Sequence, residues 1–242
     1  MKKLISLLAL VMPLLAQANE GVHLDKAPIN PANQASLQRG AKMFVNYCLN
    51  CHSASSMRYN RLKDIGLTED EIKGNLMFAG EKVGEPMGIA MNKKEAKGWF
   101  GATPPDLSVI GRSRGADWLY TYLRGFYRDE TRPTGWNNVA FDKVGMPHVL
   151  YELQGVQTLQ TEEVKDADGN KVETHKLVLD KPGKLSPAEY DATVADLVNY
   201  LMFMSEPAKT TRMKLGILVL LFLGLMFIPA YYLKKEYWKD VH

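Results

Sequence analysis

The chain contains two cysteines, both within Cys48-Leu49-Asn50-Cys51-His52. Two thiols three positions apart can work as a redox dithiol, close a disulfide, supply half of a zinc site, or bond to the two vinyl groups of one porphyrin. The last chemistry also explains His52, which would place an imidazole under the iron. A redox dithiol needs a βαβ context that the flanking sequence lacks, and a zinc site needs a second ligand pair. In an exported chain, C-x-x-C-H is the attachment signature of c-type haem, and a covalent tether keeps the cofactor from being lost outside the cell.

The two ends of the chain decide whether it is exported. Met1-Lys2-Lys3 precedes an apolar run from Leu4 to Leu15, and Ala16-Gln17-Ala18 follows. This is the layout of a secretory signal peptide, with cleavage expected after Ala18. The run is too short to cross a bilayer as a first transmembrane helix, and it contains Pro13. Near the other end, Leu215 to Leu233 carries no charge, and Lys214 and Lys234 bracket it. At 1.5 Å per residue such a helix covers roughly 28 Å, about the thickness of a hydrocarbon core. Tyr231, Tyr232, Tyr237 and Trp238 supply interfacial aromatics. Basic residues are balanced on the two sides of this span, so the signal peptide sets the orientation: body outside, short tail in the cytoplasm. The expected division is residues 1–18 signal peptide, 19–208 periplasmic domain, 209–233 anchor with its basic lead-in, and 234–242 tail.

The formal net charge is +3. Lys2 and Lys3 leave with the signal peptide and residues 209–242 carry a net +4, so residues 19–208 hold −3. A mildly acidic exported body argues against nucleic acid and for a basic protein partner.

The motif needs elements to hold it. Ser36 to Tyr47 has helical periodicity, with Gly40 and Phe44 eight and four positions before Cys48. Far downstream, Ser186 and Glu189 form a capping box around Pro187, opening a helix that carries Leu197 and Tyr200 on one face. That face can pack against a glycine notch on a crossing helix. Gly–Phe before the motif and Leu–Tyr near the end resemble the crossed terminal helices of class I cytochromes c. The expected fold is mainly α: a class I cytochrome c-like haem domain with loop insertions, a small β-hairpin and one C-terminal transmembrane helix. The hairpin is read over Val156 to Leu179, turning at Asp168-Gly169-Asn170. It carries Glu162, Glu163, Asp166, Asp168 and Glu173, which suit either an acidic docking surface or a plainly solvated hairpin.

The sixth position of the iron decides function, and twelve methionines compete for it. Met146 has the best setting, in Gly145-Met146-Pro147 after the turn-rich Thr134-Gly135-Trp136-Asn137-Asn138; Pro147 restrains the backbone there. Met87, in Glu85-Pro86-Met87-Gly88, is the main rival, and His148 is a further candidate.

Pro104-Pro105-Asp106-Leu107-Ser108, followed by Arg112-Ser113-Arg114, resembles the cytochrome c1 family. So does the order of parts: signal peptide, C-x-x-C-H, P-P-D-L-S, a Met-Pro loop, the Leu–Tyr helix and one anchor. The resemblance runs from about Ala35 to the end, is closest to bacterial members, and is loose from Asp64 to Gly98. It implies one covalent haem c, with Cys48 and Cys51 as thioether attachments and His52 and Met146 as axial ligands. It places Pro105 against the haem and Arg114 near a propionate, where a guanidinium matches a carboxylate. It further implies a subunit of ubiquinol–cytochrome c reductase in the bacterial cell membrane, without a quinol site of its own. Its neighbours would be cytochrome b, the Rieske iron–sulfur protein as donor, and a soluble or periplasmic cytochrome c as acceptor. Two other classes remain open: a membrane-tethered shuttle to a terminal oxidase or other reductase, and a haem sensor or peroxidase with an open iron.

Overall fold

The computed structural model describes residues 23–165 and 171–240. The expected signal peptide, the turn at Asp168-Gly169-Asn170, and the side chains of Glu163, Asp166, Asp168 and Glu173 lie outside what is described.

Helix α1, Gln34–Met43, starts at Asn33, whose side-chain oxygen accepts from the Ser36 amide at 3.1 Å. Its buried face is Ser36, Leu37, Gly40 and Ala41. Beyond Met43 the chain widens into a π-helical turn, Phe44–Cys48, closed by Leu49 N–H donating to the Phe44 carbonyl at 3.0 Å. The carbonyl of Cys48 then accepts from the amides of both Cys51 and His52, at 3.0 and 2.8 Å. Such wide turns are rare and favour functional sites; here one delivers the C-x-x-C-H segment.

After it come strand β1 (Ala54–Arg58), a 3-10 turn (Tyr59–Ile65), helix α2 (Glu69–Asn75), strand β2 (Pro86–Met87) and helix α3 (Lys93–Phe100). Short helices α4 (Ile110–Arg114) and α5 (Ala116–Arg124) follow, then strands β3 (Phe126–Arg128) and β4 (Trp136–Asn138). Helix α6 (Tyr151–Gln154) leads into strands β5 (Gly155–Lys165) and β6 (Lys171–Pro182). The described strands form three separate antiparallel pairs, β1–β2, β3–β4 and β5–β6. The last pair is 11 residues against 12, longer than the small hairpin expected. Gln157 ties it to the body by donating to the carbonyls of Arg124 and Phe126, at 3.0 and 2.9 Å.

Helix α7, Pro187–Ser205, has the capping box read from Ser186 and Glu189, with Pro187 in its first turn. It crosses α1 at Gly40. A Cβ on Gly40 would lie 2.7 Å from Tyr200 Cβ and would also strike the Asp196 carbonyl. Only a residue without a side chain permits that approach. Phe44 and Tyr200 pack beside the notch, ring centroids 5.6 Å apart. Both are fully buried with Leu197, and each such side chain contributes about 1.5–3 kcal/mol by leaving water. Gly111 on α4 also lies against α7, donating its N–H to Ser205 Oγ at 2.8 Å. Tyr190 on α7 donates to the Leu123 carbonyl of α5 at 2.9 Å. Helix α8, Lys209–Tyr237, contains an exposed apolar stretch that none of the described residues packs against.

Candidate haem-binding site

One cavity of about 300 Å³ is lined by Cys48, Cys51, His52, Pro105, Arg114 and Met146. These are the six residues singled out from the sequence, and the fold gathers them from four separate segments. The remaining lining is chiefly apolar: Leu197 and Leu201 from α7, Leu119 and Leu123 from α5, and the rings of Trp118, Tyr122 and Phe141. Pro105 and Phe141, which also line the cavity, are both exposed.

His52 Nδ1 lies 2.8 Å from the Pro105 carbonyl oxygen. A carbonyl can only accept, so Nδ1 carries the proton and Nε2 keeps its lone pair for a metal. Burial lowers the imidazole's pKa, opposed by the Pro105 carbonyl and the Asp106 carboxylate, and this favours the neutral ring that metal ligation needs. The Pro105 loop is itself anchored through Asp106. That carboxylate accepts from Ser53 Oγ at 2.7 Å and from the amides of Ser55 and Ser108 at 2.8 Å each. Burial raises the carboxyl's pKa, but these hydrogen bonds outweigh it and hold the group well below the usual carboxylate range.

The Cys48 thiol is buried, and burial pushes it up to about 12. A redox-active dithiol needs the opposite shift. Among the described residues no group of three His, Cys, Asp or Glu side chains forms a metal cage. One imidazole, one thioether and two thiols lining a chiefly apolar cavity suit a flat macrocycle that brings its own equatorial ligands. Imidazole and thioether are also ligands that iron accepts.

Met146 sits on a loop clasped by buried Asn137 of β4. Asn137 Oδ1 accepts from the Lys143 amide at 2.9 Å, and its Nδ2 donates to Asp129 and Asp142 at 3.1 and 2.9 Å. The clasp holds Lys143 in the left-handed region, φ 58°, which costs a non-glycine residue about 1–2 kcal/mol. The Tyr122 hydroxyl donates to Met146 Sδ at 3.3 Å. Met87 is elsewhere: fully buried in the main core, its sulfur 3.8 Å from the Tyr200 hydroxyl, and not part of the cavity wall. His148 does not line the cavity either. It is stacked on Phe126 at 4.8 Å and edge-on to Trp136 at 5.1 Å. Burial takes its pKa down to about 4, against a weaker opposing pull from Gln154, so it is a neutral packed ring.

Arg114 lies over Trp118, 4.7 Å from the ring centroid. Among the described residues it forms no ion pair, which suits it to an anionic group entering the cavity. Trp118 and Tyr122 belong to no motif in the sequence. Their signal is the spacing of Trp118, Tyr122 and Phe126, four residues apart, which puts three rings on one side of α5 and its exit. Trp118 and Tyr122 stack at 4.8 Å with 11° between planes, and Phe126 meets Tyr122 edge-on at 5.1 Å.

The family model described as "Cytochrome C1 family" matches residues 25–83 and 82–241. A Nitrosomonas europaea protein named "Ammonia monooxygenase gamma subunit" is 54% identical over 100% of this chain and 99% of its own length. "Cytochrome c1" of Allochromatium vinosum is 50% identical over the full length of both chains. "Cytochrome c1" of Rhodospirillum rubrum is 28% identical over 93% of this chain and 92% of its own.

Proposed function

The chain belongs to the cytochrome c1 family, and from that premise we propose that it relays single electrons from the Rieske iron–sulfur protein to a soluble cytochrome c through one covalent haem held by His52 and Met146. Family membership implies a haem c cofactor, respiratory electron transport and a place in the ubiquinol–cytochrome c reductase complex. The observation that carries the ligand assignment is the meeting of His52 and Met146 in one cavity with both cysteines.

A haem bound through imidazole and thioether supplies reversible one-electron chemistry and leaves no coordination position for a substrate. The protein's own groups do the rest. Cys48 and Cys51 would tether the macrocycle, the Pro105 carbonyl orients His52, and the Asn137 clasp carries Met146. Arg114 would pair with a propionate, and the apolar walls would exclude water. The exposed wall at Pro105 and Phe141 would be where electrons enter and leave. The α1–α7 crossing at Gly40 and Tyr200 supports a class I cytochrome c-like domain.

The exposed apolar helix α8 fits a single-pass membrane anchor. We place residues 19–208 in the periplasm of a bacterial cell after removal of residues 1–18, with the anchor at 209–233 and the tail, 234–242, in the cytoplasm. The test is extraction in mild detergent followed by subunit identification. Cytochrome b and the Rieske protein should accompany the chain in stoichiometric amounts. Extraction alone would mean a tethered shuttle, and oxygenase subunits in their place would give the chain the setting named for the Nitrosomonas relative.

A further inference from the structure

The described residues enclose a second cavity, of about 390 Å³, on the side of α5 turned away from the haem site. Thr121 and Arg124 of α5 line it, whereas Leu119, Tyr122 and Leu123 line the first. Asp25 from the segment before α1, Gln154 and Gln157 around the start of β5, Leu179 on β6 and Asp191 on α7 help to close it. Apart from the His23 imidazole, its side-chain donor groups are already engaged. Arg124 donates to Asp191 at 2.5 and 3.0 Å and to Asp25 at 2.7 Å. The Gln157 amide nitrogen is spent on two backbone carbonyls. The Tyr190 and Thr121 hydroxyls donate to the Leu123 and Asp117 carbonyls, at 2.9 and 2.8 Å. Acceptors, by contrast, are left over. Two carboxylates share one guanidinium, so this ion triad keeps a net negative charge. Gln154 is nine-tenths buried; its amide nitrogen donates to the Arg124 carbonyl at 3.0 Å, and its amide oxygen has no hydrogen-bond partner among the described residues.

We propose that this cavity binds a primary ammonium group on an alkyl stem, the chemistry of a lysine side chain or a polyamine. An ammonium brings three N–H donors, no acceptor and one positive charge. It therefore offsets the spare charge of the carboxylates and supplies the donor that the Gln154 oxygen lacks. A buried oxygen left unpaired is costly, so pairing it favours binding. Leu177, Leu179 and Val139 give the stem an apolar wall to lie along. An anion would meet two carboxylates, and a neutral apolar group would leave the acceptors unpaired. Nor do three His, Cys, Asp or Glu side chains converge among the described residues to hold a metal ion instead. The bound group would touch the hairpin, α7 and the segment before α1 at once, bracing the hairpin base against the body. None of this needs the haem assignment.

The test uses the full-length holoprotein in detergent, titrated calorimetrically with n-butylammonium, spermidine and a Gly-Lys-Gly peptide blocked at both ends. Tetramethylammonium at matched ionic strength is the control, because it carries the charge without N–H donors. The amines should bind at one site per chain and raise the melting temperature, and the control should do neither. Tighter binding of spermidine than of the peptide assigns the site to polyamines; the reverse order assigns it to a protein lysine. Asp191→Asn should weaken n-butylammonium binding about tenfold or more, the size of a hydrogen bond to a charged group. Leu179→Lys, at an exposed position, sets an ammonium of the chain itself at the cavity wall and should block the added amine. It keeps the test decisive if the first variant folds poorly, and the haem absorbance should be unchanged in both. No binding of any amine, equal binding of tetramethylammonium, or n-butylammonium binding unaltered in both variants would overturn the proposal.

Discussion

Met146 and Asp106 serve the site in different ways, and their substitutions should separate. Met146→Ala removes the thioether but leaves Cys48, Cys51 and His52 in place. Covalent haem should therefore survive while the potential falls and the sixth position opens. Carbon monoxide binding to the reduced protein is the measurement; wild type should resist it at neutral pH, as a closed iron does and a sensor or peroxidase does not. Asp106 instead holds together the segments after His52 and around Pro105. Its folded pKa is depressed, so its contribution is fully present above the unfolded value, about 3.9, and is lost as pH falls toward the lower folded one. Asp106→Asn should lower the melting temperature by a few degrees at neutral pH. The gap from wild type should shrink below about pH 4, where the wild-type carboxylate begins to lose the same advantage; a gap independent of pH would show that charge is not involved.

Helices α1 and α7 depend on a contact that a single methyl group would obstruct. In Gly40→Ala the new Cβ would meet the Tyr200 Cβ and the Asp196 backbone. Neither can swing away as a flexible side-chain end would, so the two helices must separate. A cost of about 1–3 kcal/mol is expected from such overpacking, lowering the melting temperature by roughly 2–4 °C per kcal/mol. Gly74 on α2 is the control, because a Cβ there meets nothing within 4 Å. Gly74→Ala should be neutral or slightly stabilising, since alanine favours helix over glycine. Thermal unfolding followed through the haem absorbance compares the two. Equal effects would mean that the crossing is looser than its geometry indicates.

Over the whole molecule, an acidic folded body is joined to an apolar helix that none of the other described residues covers. Ending the chain after residue 208 should release the haem domain into the soluble fraction with its spectrum intact, because α8 contributes no wall to the cavity. The full chain should stay in membranes through high-salt and alkaline washing, as an anchor held by hydrocarbon burial does and one held by surface charge does not. Membrane retention of the shortened chain would point to anchorage through the body itself.

The haem motif, the capping box at Ser186, the Gly40 and Tyr200 pair and the charge-free span were all legible in the sequence. Each is expressed over a few consecutive positions or one helical period, where spacing along the chain dictates geometry directly. The choice among sulfurs was legible only in part: setting and family resemblance favoured Met146, while local spacing did not separate it from Met87. Met87 and Met146 both sit in turn-rich, proline-bearing segments, and only packing puts the first in the core against Tyr200 and the second in the cavity beside Tyr122. His148, two residues from Met146, is turned away by Phe126 and Trp136. The Asn137 clasp, the Pro105 carbonyl on His52 and the hydroxyl on Met146 are likewise products of the fold. Each joins groups whose separation in space depends on how several elements pack at once, and no local spacing records that distance.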